Sequence, residues 1–168
     1  MFNPIDSEGA TAPFSMDITQ IMEYEANRYP YLLIDKITEI VPGKYAKGYK
    51  NLTFNEWYFP GHFEGCPNMP GMLQIEALSH VFILQFLTLD DNKGKCTNIL
   101  GADHLRFYQR VLPGDRLDIE TELETWRRGI GTGPARGYVD GKLVCEARFK
   151  LCIPAVLEKY TPKREEKP

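Results

Sequence analysis

The chain is poor in the residues that build metal sites and disulfide scaffolds: 168 residues carry only four cysteines, Cys66, Cys96, Cys145 and Cys152. None forms a CxxC pair, so the spacing of a zinc site is missing, and a chain of this length needs no disulfide staples. They read as free thiols of a reducing compartment, three of them in or beside strands. Excess positive charge is also missing. The formal net charge is −3, which excludes the broad basic footprint of a nucleic-acid binder. The opening MFNPIDSEGATAPFS lacks a basic region followed by an apolar core, so it is expected to be a flexible lead-in (residues 1–15) and not a secretory signal. Nor is there an uninterrupted apolar run of bilayer length. Met72–Leu89 comes nearest, but Gln74, Glu76, Ser79, His80 and Gln85 interrupt it, and a charged residue at mid-membrane costs about 2.5–3.5 kcal/mol. No membrane span, no nucleic acid and a cytoplasmic location are the resulting expectations.

What is present is ordinary globular composition, 43% hydrophobic and 26% charged, enough for one domain with a real core. Residues 16–24 read as a short amphipathic helix with Asp17 as its cap. Arg28-Tyr-Pro-Tyr breaks it, because Pro30 restricts the residue before it. Strands are expected over 32–41 and 45–52, joined at the Pro42-Gly43 turn. The 55–70 stretch holds Pro60, Pro67, Pro70, Gly61 and Gly65 among aromatics, a composition for a fixed, irregular loop of the kind that carries function. Pro70-Gly71 opens a helix over roughly 71–89 that is apolar nearly all round and must be buried. Four strands follow, over 97–107, 116–126, 133–139 and 142–153, with turns at Pro113-Gly114-Asp115 and Asp140-Gly141. Together these predict an α+β fold in which one antiparallel sheet wraps a central helix. The domain is expected over residues 16–156, with a charged tail over 157–168.

Two residues stand out chemically. Glu76 lies within the most apolar stretch, where a carboxylate must be paired, protonated or turned to a cleft. His62 sits in the Pro/Gly-rich loop; it is either structural or, since imidazole titrates near neutrality, a proton-transfer group. Gly71 lies at a helix start, where N–H groups lack helical partners and no side chain keeps a carbonyl oxygen away. It is a possible donor to an oxyanion. His80 lies four residues after Glu76, on the same helical face. With His62 the two form a conceivable metal triad, but a buried, hydrogen-bonded His80 is the expectation. His104, in a presumed strand, reads as structural.

The run Asn55-Glu-Trp-Tyr-Phe-Pro-Gly-His-Phe-Glu-Gly-Cys-Pro-Asn-Met-Pro-Gly-Met-Leu-Gln-Ile-Glu-Ala-Leu resembles the FabZ-type 3-hydroxyacyl-acyl-carrier-protein dehydratases, whose pattern is GHFPGxPxxPGxxxxEA. The likeness continues in Arg28-Tyr-Pro-Tyr-Leu-Leu-Ile-Asp-Lys, in the 106–117 turn and in the 140–147 hairpin, covering roughly residues 17–155. The resemblance implies a hotdog fold, a homodimer or trimer of dimers, no cofactor and no metal, and active sites shared across the dimer interface. It implies that His62 of one subunit moves the C2 proton of a (3R)-3-hydroxyacyl thioester, and that Glu76 of the other helps the C3 hydroxyl leave, giving a trans-2-enoyl thioester of fatty-acid synthesis. It places Gly71, Phe63 and Met72 against the substrate.

The partner would be an acidic acyl-carrier protein received on local positive charge, with Arg106, Arg110, Arg127, Arg128 and Lys150 as candidates. Five positions depart from the family pattern: Glu64 replaces a proline, Asn27 stands where many members have His, Ser79-His80 replaces Ala-Gln, and Gln74 replaces an apolar residue. These leave two other readings standing, a hotdog acyl thioesterase and a non-catalytic acyl-binding or acyl-carrier-binding subunit.

Overall fold

The computed structural model describes residues 12–160. A strand β1 (Phe14–Met16) leads into helix α1 (Ile18–Tyr24), then β2 (Lys36–Val41) and β3 (Tyr45–Asn51). The long helix α2 (Gly71–Leu87) follows, then β4 (Asn98–Phe107), β5 (Arg116–Glu122), β6 (Thr125–Arg127), β7 (Ile130–Val139) and β8 (Lys142–Cys152). A short helix α3 (Pro154–Leu157) and a 3₁₀ turn at Glu158–Tyr160 close the described chain. All strand pairs are antiparallel, in the order β1-β2-β3-β5-β7-β8-β4, with β6 paired to β7.

Helix α2 lies in the curl of this sheet. Its residues from Ala77 to Leu87 are all buried, which is why the segment carries no polar stripe. Phe82 and Phe86 meet Phe149 and Trp126, the Phe86 and Trp126 rings stacking at 4.7 Å. Glycines let the sheet come this close. A Cβ on Gly133 would stand 1.9 Å from the Glu122 carbonyl oxygen and 3.1 Å from Phe82, and one on Gly137 would meet Leu78 at 3.3 Å and Cys145 Sγ at 2.7 Å.

Several expected boundaries move, each for a local reason. The lead-in expected through residue 15 gives up its end to β1, which pairs with β2; residues 1–11 of that lead-in, and residues 161–168 of the expected tail, lie outside the described residues. Asp17 caps α1 in a full capping box with Gln20, as the sequence suggests. Residues 32–35 are not strand: the Leu33 N–H turns to the His80 ring at 3.1 Å. The expected strand over 116–126 is two pieces. After β5 leaves β3, with Leu123 N–H on the Lys44 carbonyl, Glu124 N–H pairs with Thr132, and β7 therefore begins at Ile130. Strand β4 is bulged between Asp103 and Arg106, where His104 takes φ 54°. All four cysteines are free; Cys145 and Cys152 lie in β8, while Cys66 and Cys96 are exposed in loops.

Candidate active site

The irregular 55–70 loop is held by its own hydrogen bonds. Tyr58 and Phe59 are buried anchors, Phe63 and Cys66 exchange backbone bonds around Gly65, and Asn68 N–H closes on the His62 carbonyl at 2.9 Å. Met69 N–H ties the loop to Val111 at 2.8 Å. The ring of His62, stacked on Phe63 at 4.1 Å, places Nδ1 2.9 Å from the Asn68 carbonyl oxygen. A carbonyl only accepts, so Nδ1 carries the proton and Nε2 keeps its lone pair. His62 is thus held in the tautomer of a base.

Gly71 begins α2 after Pro70, and the first i→i−4 bond of the helix is made by Gln74 N–H to the Pro70 carbonyl at 3.1 Å. The N–H groups of Gly71 and Met72 precede it and have no partner within the helix. Gly71 lines a cleft of about 410 Å³ with Asn68, Gln74, Phe107 and Arg110. Gln74 is buried there, its amide donating to the Met69 carbonyl at 3.0 Å. Phe63 and Met72 are exposed, 57% and 67% accessible, and neither lines this cleft.

Glu76 is elsewhere. It lines a second cleft, about 420 Å³, with Asn27, Tyr31, His80, Ile83 and Asn98. Five residues of helix turn through about 500° and rise about 7.5 Å, so Gly71 and Glu76 look out from different flanks of α2. Glu76 Oε1 is 3.2 Å from His80 Nε2, and the carboxyl side chain is only 18% exposed. Behind His80 sits Glu25, buried, with Oε1 3.5 Å from Nδ1. Burial pushes the Glu25 carboxyl above its ordinary value, partly offset by His80 and by Asn27, which donates to Oε1 at 2.9 Å. Burial, then the nearby Glu76 carboxylate, pushes the Tyr31 phenol up.

Of the site residues expected from sequence, His62 is tied to Asn68, which lines the Gly71 cleft, Phe63 stacks on His62 and Met72 follows Gly71, whereas Glu76 lines the other cleft. The positive residues divide as well. Arg110 borders the Gly71 cleft, with Nη1 3.1 Å from Cys66 Sγ, and Arg106 precedes Phe107, the last residue of β4. Arg127, Arg128 and Lys150 lie toward the Cys152 end of β8, opposite the Cys145 end where Phe107 pairs. Seven strand residues separate those ends, roughly 23 Å, so a single chain does not assemble all five into one patch. Among the described residues no group of His, Cys, Asp and Glu could hold a metal ion, and no helix is long and apolar enough to cross a membrane. His80 is buried and hydrogen-bonded, and Glu25 and Tyr31 around it were not legible as site residues. Glu25 lacked any motif; only burial next to His80 marks it.

A curled antiparallel sheet around one buried helix, with an ordered loop leading into the helix start, defines a hotdog-fold protein. Solved structures share this fold: the dehydratase heterocomplex ApeI:P from Xenorhabdus doucetiae (14% identity, TM-score 0.66, covering 85% of this chain and 97% of that one). Cj0977 from Campylobacter jejuni, a sigma28-regulated virulence protein, has TM-score 0.62 at 18% identity, over 82% and 89% of the two chains. Residues 26–148 match the FabA-like domain family, and the chain belongs to it. The 3-hydroxyacyl-[acyl-carrier-protein] dehydratase FabZ of Bacillus velezensis is 44% identical over 138 residues, 82% of this chain and 98% of that protein. The enzyme of the same name from Caldicellulosiruptor saccharolyticus is 46% identical over 137 residues, again 82% and 98%.

Proposed function

We propose that the chain dehydrates 3-hydroxyacyl thioesters carried by an acyl-carrier protein, working as a homodimer, or a trimer of dimers, with His62 of one subunit facing Glu76 of the other. The activity rests on the family membership. The observation that supports this division of labour is the split site: a base-ready imidazole beside free N–H donors on one flank of α2, and the carboxyl on another. Strand β4 at the sheet edge exposes Ile99, Leu100 and Phe107, an apolar rim of the kind a second subunit covers.

In the reaction, Nε2 of His62 takes the C2 proton. The Gly71 N–H holds the thioester oxygen as enolate character develops on it. The Glu76 carboxyl gives a proton to the C3 hydroxyl; the C3–O bond breaks and water leaves with that bonding pair, while the pair left on C2 by the departed proton forms the C2=C3 double bond. Transfer of the proton from His62 back to Glu76 restores the site. Assistance of this type is worth about 10²–10⁴-fold for each group. No metal or cofactor is required by these steps. Arg110, which lines the Gly71 cleft, and Arg106, beside the cleft residue Phe107 in sequence, are the better placed of the five cations to receive an acidic carrier; Arg127, Arg128 and Lys150 would act only from elsewhere on the surface. A cytoplasmic location fits free thiols and this carrier.

The test is turnover of acyl-carrier-bound 3-hydroxyacyl and enoyl substrates by wild type beside His62→Ala. Formation of the enoyl thioester by wild type and its loss in the variant are expected, and Glu76→Gln should bind substrate with turnover largely gone. Release of free thiol by the wild type would favour a thioesterase, because dehydration releases none. Tight carrier binding without turnover at any chain length would favour a binding subunit.

A further inference from the structure

We infer that His80 is a positioning residue for Glu76: its Nε2–H donates to Glu76 Oε1, which fixes the carboxyl and leaves Oε2 as the oxygen that handles the C3 hydroxyl. The inference rests on the dehydratase reading for its kinetic consequence, while the hydrogen bond itself does not.

The assignment follows from hydrogen-bond accounting. The ring is 1% exposed, so each nitrogen must find its partner within the protein. Leu33 N–H reaches Nδ1 at 3.1 Å. A backbone N–H can only donate and cannot reorient, so Nδ1 supplies the lone pair and the proton of the neutral ring sits on Nε2. Nε2 has two neighbours, Glu76 Oε1 and Asn27 Nδ2, both at 3.2 Å. An N–H cannot donate to another donor, and the Asn27 Nδ2 amide already has Glu25 Oε1 at 2.9 Å, so the acceptor is Glu76. Glu25, whose Oε2 has no hydrogen-bond partner among the described residues, is kept toward its neutral form by burial and so does not draw the imidazole away.

The helix and the 25–33 segment together hold this geometry. Glu76 and His80 are one turn apart on α2, while Arg28 anchors the chain after α1 with bonds to the Met22 and Glu25 carbonyls at 2.9 and 2.7 Å. Tyr31 covers the outer side, its ring 6.2 Å from that of His80. The departures at Asn27 and His80 are therefore one feature, an amide and an imidazole packed against each other beside the carboxyl.

Two measurements decide it. In protein labelled with ¹⁵N-histidine, whose three imidazoles are separable by single substitutions, His80 should show the Nε2–H tautomer; an Nδ1–H tautomer overturns the inference. Kinetically, His80→Leu should lower kcat about 100-fold, the scale of a misplaced catalytic group, with KM little changed. His80→Gln, which keeps an N–H donor, should recover most of that loss. In a Glu76→Gln background His80→Leu should cost nothing further, since its effect runs through Glu76. A loss that multiplies with that of Glu76→Gln overturns the positioning role. A wild type inert on every thioester sinks the dehydratase reading instead, and the tautomer then decides the Glu76–His80 bond by itself.

Discussion

Phe107, the last residue of β4, packs on Gly71, the first residue of α2, so closely that a Cβ on Gly71 would stand 3.0 Å from two atoms of its ring. The contact sets how open the helix start is to a substrate oxygen. It is also half-exposed, with Phe107 47% accessible, so the ring has room to give way. Gly71→Ala should therefore fold with nearly unchanged stability but lose at least about tenfold in kcat/KM, a barrier increase near 1.4 kcal/mol, because the methyl group and the displaced ring crowd the N–H. Steady-state rates with thermal melts on the same samples check this. Unchanged kcat/KM would remove Gly71 from oxyanion binding.

Much of this arrangement is legible in the sequence, and what is not has identifiable causes. The buried helix announces itself because α2 is apolar on every side, and the Pro/Gly-rich loop before it because no regular element tolerates that composition. The start of the 32–41 strand is not legible because Leu33 reads as strand by composition while its N–H goes to a side chain 47 residues away. The break after β5 is the loss of β3 as a neighbour while β7 pairs on with β6, and periodicity along one strand does not see its neighbours. Likewise Glu25 is an unremarkable acidic residue in the sequence; it matters only because the fold buries it against His80.

The thiols should divide two and two. Cys66 and Cys96 are exposed, whereas Cys145 and Cys152 are buried in β8. Burial also pushes the Cys145 thiol up to about 12 and raises that of Cys152, so neither presents thiolate at neutral pH. A thiol-reactive chromophore at pH 7.5 should count two groups in the native protein and four in denaturant. Four fast-reacting thiols in the folded protein would contradict the packing of β8.

Gly133 is where the sheet has least room. A Cβ there would sit 1.9 Å from the Glu122 carbonyl oxygen, a backbone atom that cannot swing aside, and 3.1 Å from Phe82. Gly133→Ala must therefore part β7 from its neighbours. A cost of about 3 kcal/mol is expected, at the upper end for an overpacked core. At this chain length that lowers Tm by roughly 6–12 °C. Gly141→Ala, which meets nothing within 4 Å but has φ 73°, serves as the control for backbone strain alone. Equal losses in the two variants would show that the close approach at β7 is not what Gly133 provides.

Glu25 gives the fold a pH dependence whose sign is fixed by burial. Its carboxyl is raised above the ordinary value of 4.5 in the folded state, chiefly by desolvation. The folded protein then holds this proton more tightly than the unfolded chain. The contribution to stability is complete below 4.5 and is lost as pH rises through the folded value. Glu25→Gln keeps the shape and removes the titration. Its stability relative to wild type should therefore grow as pH rises from 4.5 toward neutrality and then level off, since ionisation leaves a buried charge whose desolvation outweighs what His80, Asn27 and Arg28 offer and which Glu76 repels. Urea unfolding of both proteins at stepped pH measures the difference directly, with the titrations common to both cancelling. A difference that is flat across the range would mean that Glu25 is ionised in the fold throughout, paired with a charged His80. That result would also put a proton on His80 Nδ1, which could then no longer accept from the Leu33 N–H, while Nε2–H would still donate to Glu76.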